Sequence, residues 1–180
     1  MPRAKPVRVY WDACAWIAYI AQERNVPLGD GRFENRFAMC SQILLAAEAG
    51  KYEVVTSAFT LAEACKESSI RESPVDNLPN FFDRSYILLI PVDKSIGSRA
   101  QRMQTSGLVN LKPPDAIHLA SAHRASVLEM HSFDKKVLNF DGRIAGADGK
   151  PIRICKPTEG RPIGPLFEER LGGDDEEEAV

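Results

Sequence analysis

The sequence predicts an α/β domain in which a mainly parallel sheet lies between two layers of helices. Two observations carry this. Short apolar runs of strand length, at residues 7–11, 52–56, 87–90 and 126–131, alternate with longer stretches whose apolar residues recur at helical spacing. The run at 87–90 also lacks polar positions on either face, as strands covered by helices on both sides do. With 180 residues, 44% of them hydrophobic and 27% charged, the chain is expected to form one domain over residues 1–156, followed by a proline-rich and then acidic tail over 157–180.

The elements follow in order. Val7-Arg8-Val9-Tyr10-Trp11 stops at Asp12 and runs at once into an alanine-rich helix through Trp16, Ile17 and Ile20. Residues 25–31 read as a loop from their Asn, Pro and Gly content. A helix is expected over 33–49, with Phe37, Cys40, Ile43, Leu44 and Ala47 on one face and Gly50 closing it. The second strand leads into a helix beginning near Ser57, which fades into the Ser/Glu/Pro segment 68–74. Residues 75–84 read as a short amphipathic helix interrupted by Pro79. After the third strand, Asp93 is placed to cap a helix that presents Ile96, Ala100 and Met103 and ends at Gly107. Pro114 is expected at the first position of the next helix, which holds Asp115 and His118. The fourth strand turns at Asp134 into a short helix over 135–138, and Ile152-Arg153-Ile154-Cys155 is a candidate fifth strand.

Composition narrows the function classes. The formal charge is −2, but five of the acidic groups stand together at Asp174, Asp175, Glu176, Glu177 and Glu178. Without them the chain carries 23 basic and 20 acidic groups, a mild positive bias well short of a dedicated nucleic-acid footprint. Cys14, Cys40, Cys65 and Cys155 form no Cys-x-x-Cys pair and read as reduced, buried thiols, which points to a cytoplasmic protein and away from zinc or disulfides. Arg3, Lys5 and Arg8 precede an apolar stretch, but Asp12 inside it and the missing small-x-small site argue against a signal peptide. No run is long enough to cross a bilayer. Phosphate-cradling glycine motifs and the Gly-x-Ser-x-Gly elbow are both missing, and Cys14 stands where a dehalogenase-type phosphatase carries its second Asp.

What remains is a set of carboxylates. Right-handed crossovers place the carboxyl end of every parallel strand on one edge of the sheet, where ligands bind. Asp12, Asp115 and Asp134 fall at strand-to-helix turns or helix starts, and Glu63 in the first turns of the helix after the second strand. Each has an ordinary explanation: Asp12 and Asp134 as N-caps, Asp115 as an anion in a first turn, and Glu63 as the end of a Thr60-x-x-Glu63 capping box. Together, such carboxylates repel and raise one another's pKa unless a cation neutralises them. Mg²⁺ or Mn²⁺ is the cation expected for an all-oxygen donor set, and phosphodiester hydrolysis the chemistry it suits.

Four blocks then resemble, in the right order, the acidic blocks of PIN-domain nucleases. They are Val9-Tyr10-Trp11-Asp12, Thr56-Ser57-Ala58-Phe59-Thr60-Leu61-Ala62-Glu63, Pro114-Asp115-Ala116-Ile117-His118-Leu119-Ala120, and His131-Ser132-Phe133-Asp134. The resemblance implies a five-stranded parallel sheet of PIN type and Mg²⁺- or Mn²⁺-dependent cleavage of RNA. It also implies that Asp12 and Asp115 hold the principal ion while Glu63 and Asp134 complete its shell. Ser132 matches a small hydroxyl residue that often stands two before the last Asp. The chain departs from the family at Ala13 and Cys14, where a hydroxyl or amide side chain is common, leaving Asp12 without that neighbour. Among PIN proteins it looks most like a VapC-type toxin, which implies a cognate antitoxin and a homodimer.

Other residues carry bland readings first. Asp141-Gly142 suffices as a turn, so Asp141 is only a supporting candidate. His118 is expected to be a helix histidine satisfied by a neighbour. Phe33, Phe37, Phe81 and Phe82 are core or dimer-interface candidates, and Arg99, Arg102, Lys112, Arg124, Lys135 and Lys136 are candidates for RNA phosphate contacts. The alternative to a nuclease is a non-catalytic PIN-like module that binds RNA or protein; retention of all four carboxylates favours the enzyme.

Overall fold

The computed structural model describes residues 6–72, 78–106, 108 and 110–158. In chain order the elements are β1 (Val7–Trp11), α1 (Ala13–Ile20), β2 (Val26–Pro27), β3 (Phe33–Glu34), α2 (Arg36–Glu48), β4 (Tyr52–Ser57), α3 (Phe59–Ala64), α4 (Ser68–Glu72), α5 (Leu78–Phe81), β5 (Ile87–Ile90), α6 (Lys94–Thr105), α7 (Pro113–Arg124), β6 (Glu129–His131), α8 (Lys135–Leu138) and β7 (Arg153–Cys155). Five strands form one parallel sheet in the order β5-β4-β1-β6-β7, the three-layer architecture expected.

Strand alternation sorts the core into two layers. Tyr10, Val55, Met130 and Ile154 pack with Ile96 and Ala100 of α6 and with Ala116, Leu119 and Ala120 of α7. Val9, Trp11 and Val54 pack with α1 and α2 on the other side, around Trp16, Cys40, Ile43 and Phe82. α1 has only eight residues, too few to be stable alone; burial of Ala13, Ala15, Trp16 and Ala18 holds it in place.

The strand order reverses at β1. The chain runs outward from β1 through β4 to β5, then returns to place β6 and β7 on the other side. Such a reversal opens a crevice at the carboxyl end of the central strand. Trp11 pairs with His131 at that end, so Asp12 and Ser132 emerge side by side.

Several local expectations are corrected. Residues 25–31 are more than a loop: Val26 pairs with Glu34 and Pro27 with Phe33 in an antiparallel hairpin, whose turn uses Gly29 (φ 85°) and Gly31 (φ 80°). Two residues per strand are too few to show a period. The following helix therefore begins at Arg36 rather than 33, with the Asn35 side chain accepting the Ala38 N–H at 2.9 Å. Phe33 lies in the hairpin and is 68% exposed, so it is no core residue. α4 occupies part of the segment read as irregular. α7 starts at Pro113, one residue early, which puts Pro114 in its second position. β6 is shorter than its apolar run: it begins at Glu129, and Ser126 takes a left-handed turn conformation (φ 54°). Cys40 is buried as expected, but Cys65 is exposed; all four thiols are free.

The expected helix over 75–84 is observed as Leu78–Phe81, with 75–77 outside the described residues. Gly107 and the tail from residue 159 also lie outside them. Among the described residues no helix is long and apolar enough to cross a membrane.

Candidate active site: an acidic cleft at the sheet edge

Asp12 ends β1 with extended backbone, and its side chain accepts the Ala15 N–H at 3.1 Å, so it does cap α1. It is also 3% exposed, and burial pushes its carboxyl pKa up. Charge on Asp134 adds to that rise, while charge on His118, the Ser132 hydroxyl and the Ala15 amide oppose it. The backbone amide of α1 and Ser132 thus take the place of the side-chain neighbour that Ala13 and Cys14 fail to provide. The Ser132 hydroxyl also accepts the Asp134 N–H at 3.0 Å, which fixes the start of the segment that carries the last carboxylate.

Behind Asp12, the Thr56 hydroxyl donates to the Trp11 carbonyl at 2.9 Å and meets the Thr60 hydroxyl at 2.8 Å. Thr60 is therefore no capping-box residue; α3 has Ala58 at its N-cap and no side-chain cap there. Glu63 is released from that role and turns inward, 7% exposed. His118 Nε2 lies 2.6 Å from one of its oxygens and Lys66 Nζ pairs with the other. Burial works against ionisation of Glu63, but the hydrogen bonds from His118 and Lys66 outweigh it and hold the pKa below the usual range. His118 Nδ1 meets the Tyr10 hydroxyl at 2.8 Å. The histidine is satisfied by neighbours, as expected, and one of those neighbours is a rim carboxylate.

Asp115, in the first turn of α7, is half-buried; burial and then the charge of Asp134 raise its pKa. Asp134 caps α8 by accepting the Lys136 N–H at 2.7 Å. A single cleft of about 310 Å³ is lined by Asp12, Glu63, Asp115 and Asp134, carried by four separate segments, with Lys66, Lys112 and Lys136 at its edge. Asp141 is elsewhere: its carboxylate accepts the Ile154 N–H at 2.7 Å and pins the turn after α8 to β7. Lys66 escaped the sequence reading, although its position one turn beyond Glu63 was a usable signal. Cys14 also lines the cleft, but burial and the surrounding carboxylates push its thiol pKa well up, so it is uncharged at neutral pH and no nucleophile.

Among the described residues, the group whose ligand atoms all lie within 4.8 Å of one another is Glu129, His131 and Cys155, not the rim carboxylates. That group is closed by its own hydrogen bonds. The Trp11 indole N–H donates to His131 Nδ1 at 3.0 Å, and an indole only donates, so the imidazole proton sits on Nε2 and faces Glu129 at 3.2 Å. The nitrogen a metal would need is thereby protonated. Burial and the Glu129 charge push the Cys155 thiol up to about 12, and Arg153 pairs with Glu129 at 3.3 Å. These three residues form a satisfied buried network.

The rim set fits a hard cation better. All four donors are carboxylates, and a cation would relieve both the burial that chiefly raises the pKa values of Asp12 and Asp115 and the smaller contribution from neighbouring carboxylate charge.

Fold and site together define a parallel α/β domain with an acidic cleft at its topological switch point. Among solved structures, the chain is similar to Mycobacterium tuberculosis VapC20, described as a toxin that cleaves the sarcin-ricin loop: 16% identity, 72% of this chain and 92% of that one covered, TM-score 0.47. It is also similar to a chain of a toxin–antitoxin complex from Klebsiella pneumoniae, with 20% identity, coverage of 72% and 89%, and TM-score 0.48. No protein-family model and no curated protein matches the chain.

Proposed function

We propose that this chain is a divalent-metal-dependent endoribonuclease that hydrolyses RNA phosphodiester bonds. The observation that carries the reading is the convergence of Asp12, Glu63, Asp115 and Asp134 on one lysine-edged cleft. Asp12 and Asp115 would hold a Mg²⁺ or Mn²⁺ ion, with Glu63 and Asp134 completing its surroundings. Such an ion would acidify the attacking water and offset the negative charge that builds on the phosphate. The chain's own residues do the rest. Lys112 and Lys136 attract the phosphate to the cleft edge, where their charge opposes that of the carboxylates. His118 and Lys66 keep Glu63 ionised and fixed in direction, and the Ala15 amide orients Asp12 and, with Ser132, partly offsets the cost of its burial.

The test is cleavage of a mixed single-stranded RNA pool by purified protein with Mg²⁺ or Mn²⁺, its loss in EDTA, and calorimetric titration of each ion. Absence of both cleavage and ion binding overturns the reading in favour of a binding module without catalysis. His118→Ala is expected to lower Mn²⁺ affinity about 10- to 100-fold, because it removes the group that orients Glu63. Calorimetry checks this, and unchanged affinity would show that Glu63 needs no such support.

The finer reading is the toxin component of a toxin–antitoxin pair, acting as a cytoplasmic homodimer. It rests on the PIN-type sequence blocks. Expression of the chain is expected to arrest bacterial growth, the product of a small adjacent gene to restore it, and light scattering to give the mass of a dimer.

A further inference from the structure

A second cleft, of about 750 Å³, opens beside the acidic one and is lined by Lys112, Lys136, Arg143, Asn110, Asn139 and Phe140 among others. Lys112 and Lys136 line both clefts, so the two are continuous across that pair. Their chemistry is opposite. The second cleft has three cations, two side-chain amides and no carboxylate in its wall. None of the three cations forms an ion pair among the described residues. The nearest acidic residue in sequence to Arg143, Asp141, is committed to the Ile154 N–H.

Local structure explains how these groups are held open. Asn110 takes a left-handed conformation (φ 67°) in the connection before α7. Asn139 is the C-cap of α8, and the Arg143 guanidinium lies over the Phe140 ring, 5.6 Å from its centre, and is anchored there on the cleft wall. The buried Phe140 is part of the core beneath, so the wall is rigid.

We infer that this second cleft is the seat of the single-stranded RNA flanking the scissile phosphate on one side. Lys112, Lys136 and Arg143 take backbone phosphates there, and the Asn110 and Asn139 amides reach base edges. The inference rests on the ribonuclease reading of the neighbouring site. Unpaired cations in a concave wall attract a polyanion, and base edges are open to side-chain amides in single strands rather than in duplex RNA. A cleft of this volume lies within the range of about 300–1,000 Å³ usual for specific ligand sites.

The test uses Arg143→Ala and Asn139→Ala, both exposed and outside the acidic cleft. Binding of a labelled single-stranded RNA is measured by fluorescence anisotropy in EDTA across a salt series, so that no turnover intervenes. Arg143→Ala is expected to weaken binding about tenfold. It should also make the log–log salt slope shallower by about 0.7. Asn139→Ala should weaken RNA binding with the slope unchanged. In cleavage assays both variants should raise KM and leave kcat as it was. RNA binding that depends on Arg143 in a protein that cleaves nothing would support this cleft as an RNA seat, overturn its place beside a scissile phosphate and sink the ribonuclease reading. Cleavage by wild-type protein with KM, affinity and salt slope all unaltered by Arg143→Ala would overturn the inference alone. Equal affinity for single-stranded DNA of the same sequence would overturn the assignment of the cleft to RNA.

Discussion

Asp12→Asn is expected to lower RNA cleavage at least about 100-fold, the loss that follows when a metal site is deprived of an orienting or ligating group. The variant should nonetheless fold. Asn keeps the side-chain oxygen that caps α1 through the Ala15 N–H, and it removes a charge that burial disfavours. The sign of the stability effect follows from the raised pKa. An acid whose pKa is higher folded than unfolded helps the folded state fully below the unfolded pKa and loses that help as the pH rises through the folded one. At neutral pH without metal, ionised Asp12 therefore works against folding, and Asp12→Asn should be at least as stable as the wild type in EDTA. Adding Mn²⁺ should raise the Tm of the wild type, by linkage to binding, and leave the variant unmoved. Thermal melts with and without the ion check all of this. A variant that still cleaved RNA, or one markedly less stable in EDTA, would contradict the assignment of Asp12.

The second large effect is on stability. Trp16→Ala is expected to cost about 3–5 kcal/mol, the range for deleting a fully buried aromatic side chain. The Trp16 ring is wholly buried and stands 4.8 Å from those of Trp11 and Phe82 and 5.9 Å from that of Phe81. It joins the end of β1 to α1, so its loss should loosen the turn that carries Asp12 and lower activity as well. Trp16→Phe discriminates packing from polarity. The indole N–H of Trp16 has no hydrogen-bond partner, and an unsatisfied buried donor costs about 1–3 kcal/mol, which offsets the volume lost in the change to Phe. The Phe variant should thus stay within about 1.5 kcal/mol of the wild type. Urea denaturation at constant m value measures both.

Much of this was legible before any coordinates. The strand Ile87–Ile90 is an apolar run of ordinary length, Tyr52–Ser57 is built on Val54 and Val55, and Asp93 announces α6, whose Ile96 N–H its side chain accepts at 2.9 Å. The hairpin at Val26–Pro27 and Phe33–Glu34 was not legible. Its strands are shorter than one period, and it is held by a contact distant in sequence, Glu34 with Lys156 at 2.5 Å. The capping box at Thr60 was legible and wrong, because the Thr56 hydroxyl takes Thr60 first.

The sequence by itself determined the alternation of strands and helices and the four carboxylate positions, because apolar periodicity and helix-start chemistry act over a few residues. Tertiary structure alone decided that the strand order reverses at β1, that His118 claims Glu63, and that Ser132 lies by Asp12 while Asp141 turns away to β7. Those outcomes depend on strand register and on which buried polar atoms find partners. Both are settled by packing across the whole sheet rather than within any one segment.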